Sequence, residues 1–142
     1  MATLDNYLFF DGNCADALRF YERVTGGKIL SMMKYSDSPT PLDPQHCPPG
    51  SENLVMHASI DIGGRNLMAS DSPKGTFKPM QGFALSLVYD TAEEAKQKFD
   101  MFADGAQVTM PFAPTFWAQG FGMLTDKFGT PWMVGGGFKQ HG

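Results

Sequence analysis

His57, in the run VMHASID, is the residue of this chain best suited to move a proton at neutral pH. An unperturbed histidine titrates near 6.5, so its imidazole can donate or accept there, and a serine such as Ser59 or Ser86 can orient a bound molecule beside it. No third member completes a Ser/His/Asp arrangement, and a histidine in a strand is ordinarily a hydrogen-bonded structural residue. His57 is therefore the best catalytic candidate without an assigned catalytic role. His46 lies in a proline-rich stretch and His141 next to the last residue, and no pair of the three histidines has the close spacing of a metal motif. Cys14 sits where a helix N-terminus would favour a thiolate, but a small buried residue beside a cap is the ordinary occupant of such a place. Asp71 and Asp126 fall at turns or strand ends, where carboxylates usually accept from nearby backbone amides. GGRN and VGGG do not follow a strand and open a helix, as a phosphate loop must.

Composition narrows the field around these residues. The 142 residues are 42% hydrophobic and 18% charged, enough apolar material for one well-packed core. A net charge of −4 and a pI near 5.2 provide no basic footprint, so no nucleic-acid partner is expected. The start, MATLDNYLFFDGN, lacks a basic region, and no run approaches the roughly 18 apolar residues of a membrane span. The expectation is a cytoplasmic protein, without a membrane partner, that keeps Cys14 and Cys47 as reduced thiols.

The elements that must position these side chains come in two sets. Asn13 caps a helix over Cys14 to Thr25 with the apolar stripe Ala17, Phe20, Tyr21 and Val24, ended by Gly26 and Gly27. TAEE from Thr91 matches a capping box with Glu94, opening a helix with the stripe Ala95, Phe99 and Phe102, ended by Gly105. Asn13 to Thr91 is 78 residues, and so is Gly27 to Gly105. Strand-like runs flank each helix: Asn6 to Phe10 and Lys28 to Tyr35 around the first, Phe83 to Tyr89 and Gln107 to Phe112 around the second. Farther on, SIDIGGRNLMAS matches MLTDKFGTPWMV with Asp61 on Asp126, Gly64 on Gly129 and Met68 on Met133, an offset of 65 that adds a hairpin to each half. The drop from 78 to 65 assigns about thirteen extra residues to the first half, in the long exposed loop SDSPTPLDPQHCPPGSEN. The chain thus reads as α+β: a module over about 1–75 and a second over about 80–138, each βαβββ, in one domain.

FDGNCADALRFYERVTGG, VMHASIDIGGRNLMASD, GFALSLVYDTAEEA, TFWAQGFGMLTDKFG and PWMV, in this order, resemble the PhnB-like branch of the vicinal oxygen chelate superfamily. That superfamily includes glyoxalase I, bleomycin-resistance proteins and extradiol dioxygenases. The resemblance covers nearly the whole chain and implies two βαβββ modules whose curved sheets enclose a cavity, with a helix outside each, usually in a homodimer. It implies no particular reaction. In metal-dependent members, His, Glu or Gln from the first and last strands of each module hold the ion. Carried over from the helices and the final hairpin, those positions fall on Asn6, Met68, Ala84 and Met133. Ala84 has no donor atom, thioethers suit copper(I) over hydroxyketone- or dioxygen-activating divalent ions, and Asn6 alone is a feeble ligand. No metal or other cofactor is expected at this set; a divalent ion would need relocated ligands.

If those positions face the cavity, alternation adds Leu8 and Phe10, Ser70, and Ser86 and Val88 to its lining and sends Phe83, Leu85 and Leu87 under a helix. On the third strand Met56, Ala58, Ile60 and Ile62 suit the helix side, leaving His57, Ser59 and Asp61 for the cavity. Trp132 alternates away from Met133 toward the packed side, whereas Trp117, before Phe121, suits a pocket wall or dimer contact. The ligand-binding set is then Asn6, His57, Ser59, Met68, Ser86, Trp117 and Met133. It suits a protein that binds a small, partly apolar molecule in a metal-free cavity, as bleomycin-resistance members sequester a drug unchanged. The alternative is an enzyme, either of glyoxalase or dioxygenase type with relocated metal ligands or a metal-independent acid/base catalyst using His57. A purely interaction-driven dimer is a third class.

Overall fold

A computed structural model of the chain describes residues 1–40 and 49–139. Its elements run β1 (Asn6–Phe10), α1 (Cys14–Thr25), β2 (Lys28–Lys34), β3 (Val55–Ile62), β4 (Arg65–Asp71), β5 (Leu85–Tyr89), α2 (Ala92–Phe102), β6 (Gln107–Ala113), β7 (Ala118–Thr125) and β8 (Pro131–Phe138). They group into two compact units, Met1–Lys78 and Pro79–Gly142. Each unit is βαβββ, as expected from the sequence, with one four-stranded mixed sheet and one α-helix among the described residues.

In the first unit the strand order is β1-β4-β3-β2, with β1 and β4 parallel and the remaining pairs antiparallel. One sheet face carries Leu8, Phe10, Ala58, Ile60, Leu67 and Ala69, all buried. The apolar stripe of α1 is buried as well, and Cys14 and Leu18 extend it. Asn13 stands at the N-cap position, but its side chain makes no capping bond. Buried Asp71, at the end of β4, does that work instead: its carboxylate accepts from the Cys14 N–H at 2.9 Å and from the Val55 N–H at 2.9 Å. One side chain thereby joins the starts of α1 and β3 to the end of β4, a non-local role where local amides were expected.

The β3–β4 turn is a two-residue loop, Gly63 and Gly64, at φ of 60° and 83°, a left-handed pair that side chains disfavour. The proline-rich stretch is not exposed throughout: Ser51 is fully buried, and backbone bonds from Tyr35 to Leu54 and from Ser36 to Glu52 draw its ends together. His46 and Cys47 lie outside the described residues, as does His141.

The second unit repeats the pattern as β5-β8-β7-β6, with β5 and β8 parallel. Here Thr91 caps its helix as expected, Thr91 Oγ1 accepting from the Glu94 N–H at 3.1 Å, which is one of the two bonds of the expected capping box. Trp132 is 2% exposed, with its ring centroid 4.7 Å from that of Phe102, and it lies on the packed side as alternation requires. Its indole N–H donates to Asp126, which also accepts from the amides of Phe128 and Thr130. The glycine run in β8 is a packing device, since a Cβ on Gly136 would strike the Thr91 carbonyl at the head of α2. β5 begins two residues later than its apolar run suggests, and Phe83 is 44% exposed instead of packed under a helix.

Asp71→Ala would leave two amide donors without their carboxylate. It is expected to lower unfolding free energy by about 3 kcal/mol in urea titrations, and a loss under about 1 kcal/mol would show that the clamp is dispensable.

Candidate functional site

The sheet face of the first unit opposite its buried layer is built in rows by strand pairing. Tyr7 stands beside Met68, Met68 opposite Ser59, and Ser59 opposite Ser31. In the next row Phe9 stands beside Ser70, and His57 opposite Met33. Across these rows the Tyr7 hydroxyl and His57 Nδ1 are hydrogen-bonded at 3.0 Å. The Tyr7 ring is centred 5.2 Å from Phe9 and 5.6 Å from His57. The Ser31 and Ser59 hydroxyls bond to each other at 3.1 Å. Tyr7 and Phe9 remain 38% and 53% exposed.

Strand pairing corrects the expected phase of β1. Asn6 pairs with Leu67 and Leu8 with Ala69, so Asn6, Leu8 and Phe10 belong to the helix-side face; Leu8 and Phe10 are buried there, and Asn6 is exposed at the strand's start. The residues that β1 presents beside Met68 and Ser70 are Tyr7 and Phe9. The cause is the turn into the helix: Tyr7 to the cap Asn13 is six residues, but the ladder-equivalent Ser86 to Thr91 is five. An offset carried from helix to strand therefore slips by one, and one residue exchanges the two faces. NYLFF is apolar at four of five positions, so its own alternation gave no warning.

In the second unit the corresponding row is Ser86, Met133, Met123 and Met110, on four neighbouring strands. Ala84 precedes β5 and takes no place in the ladder. Ser86 is exposed, and the three methionines are half-buried. The next row holds Val88, Gly135 and Phe121, and Trp117 packs edge-on against Phe121 with centroids 5.3 Å apart. The expected binding residues thus fall into two groups: His57, Ser59 and Met68 on the first sheet, joined by Tyr7, and Ser86, Met133 and Trp117 in the second unit. The hairpins also differ by a residue. Ser59 pairs with Met68 but Met123 with Met133, which sets Asp61 level with Thr125 and leaves Asp126 in the turn.

Cys14 offers no nucleophile. Burial, and secondarily the nearby Asp71 charge, push its thiol from the ordinary 9.0 up to about 12. Burial, followed by the charge of Glu94, also raises Tyr89 above its ordinary value.

With this geometry in hand, the chain can be placed: it belongs to the Glyoxalase/Bleomycin resistance protein/Dioxygenase superfamily, whose family model matches residues 3–134. It is 37% identical over 136 residues to Protein YjdN of Escherichia coli (strain K12), covering 92% of each chain. It is similar to the crystal structure of protein PA1353 from Pseudomonas aeruginosa, with 39% identity, a TM-score of 0.83, and 95% of this chain and 97% of that one covered. It is also similar to a putative 3-demethylubiquinone-9 3-methyltransferase, PhnB protein, from Bacillus cereus, at 26% identity and a TM-score of 0.77, with 94% and 98% covered.

In this family a metal would be held by the first and last strands of each module. By strand pairing those positions are Tyr7 and Met68 in one unit, and Ser86 and Met133 in the other. A phenol, an aliphatic hydroxyl and two thioethers do not fit a divalent ion that prefers imidazole and carboxylate. Among the described residues no three His, Cys, Asp or Glu side chains gather where an ion could be held.

In a Cys47→Ser background, the remaining thiol should resist Ellman's reagent at pH 8 in the native protein and react fully in denaturant. The unfolded thiol ionises near 9.0 and the folded one at about 12, so this group's contribution to stability declines as pH rises above 9. Rapid native labelling would contradict the burial of Cys14.

Proposed function

We propose that this protein binds a small, partly apolar molecule at a metal-free site on the open face of a sheet. The candidate residues are Tyr7, His57, Ser59 and Met68 on the face of the first unit and, taken by itself, Ser86, Met133 and Trp117 in the second. The observation that carries this reading is the pair of exposed aromatic rings, Tyr7 and Phe9, next to the hydrogen-bonding edge of His57. Water solvates such a surface poorly, and an apolar ligand with a few polar atoms satisfies both parts of it. Methionines beside both faces add a deformable wall that adapts to ligand shape. Asn6, which lies on the other face of β1, drops out of the proposed set.

The same reading takes the two units as one domain and the working form as a cytoplasmic homodimer with neither nucleic-acid nor membrane partners. The net charge of −4 supports the first exclusion. Among the described residues no helix is long and apolar enough to cross a membrane.

A second reading, acid/base catalysis through His57, is favoured by one observation, the 3.0 Å bond between Tyr7 and His57 Nδ1. A phenol at that nitrogen fixes the orientation of the imidazole, as acid/base work requires.

Thermal-shift screening of a metabolite and drug-like library should return neutral or apolar hits with the wild type that weaken in His57→Ala. A library without hits would count against binding. For any substrate found to turn over, His57→Ala should reduce kcat by about 10²-fold or more if the second reading holds; unchanged turnover removes it. Metal analysis of protein purified without chelators should find well under one equivalent of divalent ion, and a stoichiometric ion would overturn the metal-free site.

A further inference from the structure

The first unit's open face specifies its ligand more closely than "partly apolar". Its charge comes first. The rows containing Tyr7, Met68, Ser59 and Ser31, and Phe9, His57 and Met33, carry no Lys, Arg, Asp or Glu. The adjoining rows hold Lys28 opposite Asp61 on one side and Lys34 opposite Val55 on the other. A charged ligand lying on the uncharged rows would lose hydration without a counter-charge within them. The face selects an uncharged molecule.

Its shape comes next. Tyr7 is tilted by 39° to Phe9 and by 33° to His57, at centroid separations of 5.2 and 5.6 Å, so the rings form a run of inclined aromatic faces. A flat aromatic ligand can stack on one such face with its edge against the next, whereas a puckered aliphatic ring touches it at few points.

The polar edge then sets the orientation. The 3.0 Å bond between the Tyr7 hydroxyl and Nδ1 is compatible with either donor; with the phenol, the stronger acid, donating, the imidazole proton is on Nε2. Nε2 has no hydrogen-bond partner among the described residues. In that tautomer His57 presents one N–H donor at the end of the aromatic run.

Resting on the binding reading above, we infer that the first unit takes an uncharged, planar aromatic molecule. Its ring stacks on the face of Tyr7 with its edge toward Phe9, and a carbonyl oxygen or ring nitrogen accepts from His57 Nε2. Tyr7 has two functions: its ring is part of the platform, and its hydroxyl positions the donor.

Coumarin and three probes that each alter one property test this directly: indene lacks the acceptor, δ-valerolactone lacks the aromatic ring, and coumarin-3-carboxylate adds a negative charge. Titrations into ¹⁵N-labelled full-length protein are read from the histidine ring nitrogens, with His57 assigned by its loss in His57→Gln. Coumarin should move the His57 Nε2 signal, and indene and δ-valerolactone should each bind about tenfold more weakly. The carboxylate should bind no more tightly than coumarin. Tyr7→Phe should weaken coumarin several-fold while sparing indene, a split that loss of the platform alone would not produce. Equal binding of indene or δ-valerolactone, tighter binding of the carboxylate, or coumarin binding with His57 unmoved would each overturn the inference. If none of the four binds while the wider library yields a ligand, the inference fails and the binding reading survives; if the library is also silent, both fall. Because the four probes are compared on the wild-type protein, misfolding of a variant does not blunt the test.

Discussion

The parallel pairing of the first strand of each module with its last is the constraint on which the rest of the structure depends. β1 lies beside β4 and β5 beside β8, and these contacts bring chain segments about sixty residues apart in the first unit and about fifty in the second into one ladder. Once the ladder closes, alternation assigns each side chain to one of two faces. One face is buried in an apolar layer and the other is left to chemistry. Phase is therefore decisive: a slip of one residue would exchange Tyr7 for Leu8 and replace a hydrogen-bonding aromatic with core packing.

The two units solve the same closure problem with different chemistry. In the first, Asp71 reaches across sequence to the amides of Cys14 and Val55, fastening strand, helix and hairpin at one point. In the second, Thr91 caps its own helix, and Asp126 is used locally to shape the turn and hold the Trp132 indole. A glycine pair makes the short hairpin of the first unit, while the second uses a longer turn organised by a carboxylate. Equivalent architecture thus coexists with one-residue differences in its connections.

Those differences bear on function. At the strand positions that would hold a metal in metal-dependent members, the first unit carries Tyr7 and Met68 and the second Ser86 and Met133, all uncharged. What such side chains do well is pack against apolar surface and offer single directed hydrogen bonds, which is the chemistry of binding and orientation. His57 is the one described histidine, and its bond to Tyr7 gives that orientation a direction.

Much of this was legible in the residues alone. Two helices with their apolar stripes, the doubled βαβββ order and the inward burial of Trp132 follow from local signals, because caps, glycine stops and helical periodicity act within a few residues. Three features were decided only in the tertiary structure. Asp71 caps a helix 57 residues away in sequence, and no local pattern records such a partner. Asn13, with the right residue type at the right position, left its capping role to that carboxylate. Tyr7, hidden in an almost uniformly apolar strand, was placed on the open face by its pairing with Met68. Sequence determines which short segments are helix or strand because those preferences are local; which face of a strand is left open depends on register, and register is set by partners that fold brings together from far along the chain.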